Sequence, residues 1–167
     1  MNHKNQYGCL MAMVNPTYRP HIIKFGRTVI PPSILYTKPD DDSYGYDDEP
    51  HITLKYGYAP DLDRNQLASI LQGIKPFDVV LHSLTQFNNP EFDVVKFDAE
   101  SDVLRELRKR ADQYPNQDKY PDYKPHLTLG YIKKNVKFPK KFNLKITVPV
   151  TKFKYSGQNG KSIIIHL

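Results

Sequence analysis

Two histidines of this chain stand in the same short word, Pro50-His51-Ile52-Thr53-Leu54 and Pro125-His126-Leu127-Thr128-Leu129, each followed within two residues by a tyrosine. Alternating apolar and β-branched residues behind a proline, which is tolerated at the first strand position, predict that both words are strands. Side chains two apart share a face. His51 and Thr53 therefore point one way together with Lys55, and His126 and Thr128 with Gly130. Ile52, Leu54 and Tyr56, and likewise Leu127, Leu129 and Tyr131, are expected to face the core.

Two imidazoles and two hydroxyls facing each other across a cleft suit phosphoryl transfer. In an in-line displacement the attacking and leaving oxygens lie on opposite sides of phosphorus, so a base is needed on one side and an acid on the other. Histidine, with an ordinary pKa of about 6.5, serves as either near neutral pH. Threonine hydroxyls can donate hydrogen bonds to the non-bridging phosphoryl oxygens, stabilising their charge without a metal. The two motifs are nearly identical, so the sequence does not say which histidine is base and which acid. A nucleotide- or RNA-binding module is the alternative, although binding alone has no need for two titrating imidazoles. A third reading, core strands of an interaction protein, leaves the shared His/Thr faces unexplained.

The paired words resemble the signature of the 2H phosphoesterases, two His-x-Thr/Ser motifs flanked by hydrophobic residues about half a domain apart. The stretch from Phe153 to Gly160, followed by Ser162 to Leu167, is similar to the strand, turn and strand that often end that family. The resemblance implies an α+β fold of two pseudo-symmetric lobes, mainly antiparallel sheet with flanking helices around a central cleft. It also implies metal-independent phosphodiesterase activity without a cofactor, with His51, Thr53, His126 and Thr128 as the catalytic residues. The implied substrates are cyclic nucleotides or oligonucleotides, or alternatively RNA ends with 2′,3′-cyclic phosphates and 2′–5′ linkages. Tyr7-Gly8-Cys9-Leu10-Met11 and the words from Glu49 to Gly57 are similar to a phage branch. That branch includes anti-CBASS proteins, which degrade cyclic oligonucleotide immune signals. This narrower likeness implies a viral enzyme of the host cytoplasm and carries Tyr7 as a substrate contact.

At 167 residues the chain is expected to be one domain, 1–167. The lone Cys9 lies in an apolar run, excludes an internal disulfide and fits a reducing compartment. No apolar run approaches the ~20 residues that span a bilayer, and no signal peptide is visible, so a soluble cytoplasmic protein without membrane or obligate protein partner is expected. Residues 119–167 hold 11 lysines against one acid, Asp122, so this third carries +10 while the rest sums to −4. Such a bias attracts polyanions, although lysines also blunt edge strands. Lys55 faces Gly130 across the expected symmetry, which makes it a candidate contact for a substrate phosphate.

The acidic run from Asp40 to Glu49 is too polar to pack, and a mobile loop is expected at about 39–49, with Tyr44 or Tyr46 able to stack on a base. Its consecutive acids lack the alternation of a Ca²⁺ loop. His3, His21, His82 and His166 have no paired motif, and no His/Cys cluster has zinc-ligand spacing. Strands are predicted over Tyr7–Val14, Ser33–Thr37, His51–Tyr58, Phe77–Leu84, Phe92–Phe97, Leu144–Tyr155 and Ser162–Leu167, besides the second motif strand. One helix should follow Asp61 or Asp63 with an inward stripe of Leu62, Leu67, Ile70, Leu71 and Ile74. A second should run from Ser101 to Gln113 with its arginines largely outward. This order resembles a duplicated α+β unit.

Overall fold

The computed structural model describes residues 6–167; His3 lies outside them. The duplication seen in the two words extends to the topology. β1 (Gly8–Val14) leads into α1 (Arg19–Val29) and then into the first motif strand, β2 (His51–Tyr58). The same order recurs as β4 (Phe92–Glu100), α3 (Asp102–Ala111) and the second motif strand, β5 (His126–Lys133). α2 (Arg64–Leu71) and β3 (Phe77–Asn88) lie between the units, and β6 (Lys141–Ser156) and β7 (Ser162–His166) follow β5.

All seven strands form one antiparallel sheet in the order β1-β2-β5-β4-β3-β6-β7, and β6 also pairs with β1, which curls the sheet into a ring. The long β6 belongs to both lobes, pairing with β3 up to Val150 and with β1 and β7 beyond it. On the opposite side of the ring, β2 and β5 share the single pair Ile52 and Leu127. The cleft opens at this thin junction.

The helix of each unit packs across on the other unit's motif strand, α1 against β5 and α3 against β2. α1 was not expected from the sequence. Its inward positions, Ile22, Phe25, Gly26 and Val29, have helical spacing, but Gly26, which packs against Leu129, interrupts the apolar stripe. The strand expected over Ser33–Thr37 is instead a 3₁₀ turn, Pro32–Ile34, followed by a single bridge from Leu35 to Ile132. The Ile34 and Leu35 N–H groups are taken by the Pro31 and Pro32 carbonyls at 3.1 and 3.2 Å, which closes the turn and leaves them unavailable to a strand ladder. Asp63 caps α2 in a capping box with Gln66, whereas Asp61 accepts from Tyr155 and Gln158. Arg108, expected outward, is buried on α3.

Where β2 and β5 diverge, their backbone groups need other partners. The connections supply them reciprocally. Residues preceding β2 cover β5: Tyr131 N–H donates to the Gly45 carbonyl at 2.8 Å, Asp47 N–H to Leu129 at 3.0 Å, and Tyr46 bridges Gly130. The second half of the acidic run is thus docked into the sheet, which corrects the expectation of a free surface loop there. Residues preceding β5 cover β2: Gln117 N–H donates to the Gly57 carbonyl at 2.7 Å and the Tyr123 hydroxyl to Thr53 at 3.2 Å.

Candidate active site

The register at Ile52 and Leu127 relates the two motifs by a local two-fold. Ile52, Leu54, Leu127 and Leu129 are buried and anchor the strands, while His51, Thr53, His126 and Thr128 are half-buried on the opposite face. The structure therefore brings the four expected residues together.

Both imidazoles are held by one device. Nδ1 of His51 lies 2.8 Å from the Glu49 carbonyl oxygen, and Nδ1 of His126 lies 2.8 Å from that of Lys124. A carbonyl oxygen only accepts, so Nδ1 carries the proton, and the neutral ring keeps its lone pair on Nε2. The intervening Pro50 and Pro125 fix φ and hold the preceding residue extended, which positions those carbonyls.

Just beyond each threonine the strand bulges. Thr53 lies opposite Met11 and Lys55 opposite Leu10, leaving Leu54 as the extra residue; Thr128 lies opposite Lys96 and Gly130 opposite Val95, leaving Leu129 extra. The bulge shifts the alternation by one. Lys55 therefore turns to the helix side, where it is 4% exposed and its Nζ lies 2.6 Å from Asp112 and 3.2 Å from Asp118. Tyr56 and Tyr131 turn instead onto the His/Thr face, and Tyr56 is 45% exposed. The expected positions of Lys55 and both tyrosines are corrected accordingly. A signal for this pair was present in the sequence, a tyrosine five residues after each motif histidine.

Tyr7 and Tyr44 each reinforce one of these tyrosines. Tyr7 meets Tyr56 edge-on at a centroid distance of 5.7 Å, and Tyr44 meets Tyr131 edge-on at 5.4 Å within a cluster that includes Tyr36 and Phe92. An aromatic wall consequently stands beyond the threonine in each lobe.

The strands flanking the motifs break the symmetry. Met11 and Met13 face Thr53 and His51, whereas Lys96 and Asp98 face Thr128 and His126. Lys96 is buried; it donates to Thr85 at 2.7 Å, pairs with Asp98 and lies 4.1 Å from the Phe87 ring centroid. Phe87 in turn packs edge-to-face with His126 at 4.9 Å. Burial, joined by the charges of Lys96 and His51, holds His126 below the usual histidine range. On the other side, burial raises the Asp47 carboxyl while the nearby His51 opposes that rise. The Cys9 thiol lies against Thr53, and burial pushes it up to about 12, so it is a neutral thiol at physiological pH. Only register places Lys96, Asp98 and Phe87 beside the motif; no sequence pattern marks them.

Among the described residues no group of three His, Cys, Asp or Glu side chains is arranged to hold a metal ion, and no helix is long and apolar enough to cross a membrane.

A family profile described as the 2′-5′ RNA ligase superfamily matches residues 36–150. Among solved structures, TT0787 of Thermus thermophilus superposes with a TM-score of 0.64 at 17% identity, covering 96% of this chain and 94% of its own. Usb1 of Kluyveromyces marxianus gives 0.62 at 10% identity, covering 98% and 99%. LigT of E. coli, solved with 3′-AMP, gives 0.59 at 19% identity, covering 97% and 95%. No curated protein sequence matches significantly.

Proposed function

Because the chain belongs to the 2′-5′ RNA ligase superfamily of 2H phosphoesterases, we propose that its cleft is a metal-independent phosphodiesterase site for nucleotide substrates. The observation that carries this reading is the pair of imidazoles, each anchored through Nδ1 to a carbonyl two residues back and each beside a threonine on the same face.

His126, held below its ordinary pKa, is the neutral ring at pH 7 and acts as general base. It takes the proton of the attacking oxygen as the new P–O bond forms. His51, carrying a second proton on Nε2, gives that proton to the leaving oxygen as the old P–O bond breaks. Thr53 and Thr128 donate to the non-bridging oxygens. Tyr56 and Tyr131, backed by Tyr7 and Tyr44, offer one stacking surface per lobe, which suits a substrate with a base on each side of the scissile phosphate. This favours cyclic oligonucleotides over mononucleotide esters, in keeping with a viral enzyme that degrades cyclic oligonucleotide signals in the host cytoplasm. The family match supports a second reading, processing of RNA ends bearing 2′,3′-cyclic phosphates.

The test is hydrolysis in EDTA of 3′,5′-cyclic oligonucleotides alongside 2′,3′-cyclic mononucleotides, by wild type and the His51→Ala/His126→Ala double variant. Turnover of the cyclic oligonucleotides by wild type alone is expected. Preference for 2′,3′-cyclic esters moves the reading to RNA ends, and tight nucleotide binding with no turnover makes the cleft a binding site.

A further inference from the structure

The His/Thr face does not stop at His51. Met13, opposite His51 on β1, also lines a groove of about 280 Å³ whose other walls include Arg19, Glu49, Lys152, Lys154 and Ser162. Pro50, immediately before His51, forms its near edge. The groove crosses from the start of β2 over β1 to β6 and β7, with β6 two strand spacings or roughly 10 Å from the motif strand. Neighbouring phosphates of an extended oligonucleotide lie somewhat closer together than this, and the long lysine and arginine side chains lining the groove make up the difference.

Its charge is unbalanced, with three cations facing one carboxylate. Lys154 Nζ is 2.8 and 2.9 Å from the two Glu49 oxygens. Arg19 spends Nε and Nη2 on the Asp48 carbonyl at 3.2 and 2.6 Å, a neutral acceptor that leaves its charge uncompensated. Lys152 has no ion-pair partner among the described residues. Uncompensated cations around a concave surface suit a polyanion better than a neutral or cationic ligand.

We propose that this groove is a second phosphate subsite, which holds the phosphate next to the one being cleaved in an oligonucleotide. The proposal rests on the phosphodiesterase reading of the cleft. Lys152 and Arg19 supply free charge, Ser162 offers a hydroxyl, and Lys154 exchanges part of its contact with Glu49 for the incoming phosphate. Substrates with a second phosphate on the His51 side are thereby favoured over mononucleotides.

Two probes that differ by one nucleotide, and with it one internal phosphodiester, read the subsite: adenosine 2′,3′-cyclic phosphate, and the dinucleotide ApA ending in a 2′,3′-cyclic phosphate. The ratio of kcat/KM for the dinucleotide to that for the mononucleotide is measured for wild type, Lys152→Ala, Lys152→Glu and Lys161→Glu. Lys161→Glu reverses the same charge outside the groove. The ratio is expected to fall about fivefold in Lys152→Ala and further in Lys152→Glu, through KM, and to hold in Lys161→Glu. An unchanged ratio in both Lys152 variants, or an equal fall in Lys161→Glu, overturns the subsite. Where wild type hydrolyses neither probe, the phosphodiesterase reading fails only if the 3′,5′-cyclic oligonucleotides are also left intact. Calorimetric binding of the same two probes then decides the groove separately: a dinucleotide preference that survives Lys152→Glu overturns it.

Discussion

His51 and His126 share one anchor but have different neighbours, and the difference assigns their roles. His126 stands beside Lys96 and under Phe87, in a setting that favours the neutral ring. Lys96→Met removes a cation that lowers its pKa and leaves Asp98, whose charge raises it. The acidic limb of kcat/KM, where the base must lose its proton, is therefore expected to move to higher pH; an unmoved limb would show that Lys96 does not set the protonation of His126. Stacking is worth about 1–3 kcal/mol per base, so Tyr56→Ala and Tyr131→Ala should each raise KM at least about fivefold with little change in kcat, while the phenylalanine variants retain most of the affinity. Steady-state kinetics on a dinucleotide check both.

The bulges decide which face each residue of a motif strand occupies, and they rest on supports that can be tested. Gly57 has φ +105°, and a β-carbon there would lie 2.8 Å from the Asp118 amide nitrogen. Gly57→Ala is expected to destabilise the fold by about 2 kcal/mol in urea unfolding, and no loss would contradict the support assigned to it. Lys55→Met leaves Asp112 and Asp118 to Arg108 alone, at a cost of about 2–3 kcal/mol, with kcat/KM close to wild type because Lys55 lies off the cleft face. Burial works against ionisation of Asp118, but the Tyr120 N–H, Lys55 and Arg108 outweigh it and hold the carboxyl below the usual range. Its contribution is then full above the unfolded carboxylate pKa and is lost as pH falls through the lower, folded value. These elements also show what the sequence made legible. Period-two alternation gave both motif strands and the His/Thr faces, and capping and apolar spacing gave α2 and α3. Alternation failed at Lys55, Tyr56 and Tyr131 because a bulge is defined by the partner strand, which a local pattern does not contain. α1 stayed hidden because Gly26 occupies one of its inward positions and breaks the apolar stripe.

At the scale of the whole molecule, the ring is continuous through β6 and thin at Ile52 and Leu127, so two lobes meet where the chemistry is placed. The excess of lysine over residues 119–167 gives a polyanion a field to follow, and kcat/KM for an oligonucleotide is expected to fall steeply from low to high salt while a mononucleotide responds weakly. The central claim, that two symmetry-related histidines have opposite duties, is tested most directly by changing the leaving group. A 4-nitrophenyl nucleotide ester needs no proton on departure, whereas an alkyl diester does. His51→Ala is predicted to lose about 10²–10⁴-fold on the alkyl diester and to recover most of that loss on the nitrophenyl ester, while His126→Ala loses heavily on both. Equal losses on the two esters in both variants, or recovery by His126→Ala instead, would contradict the assignment.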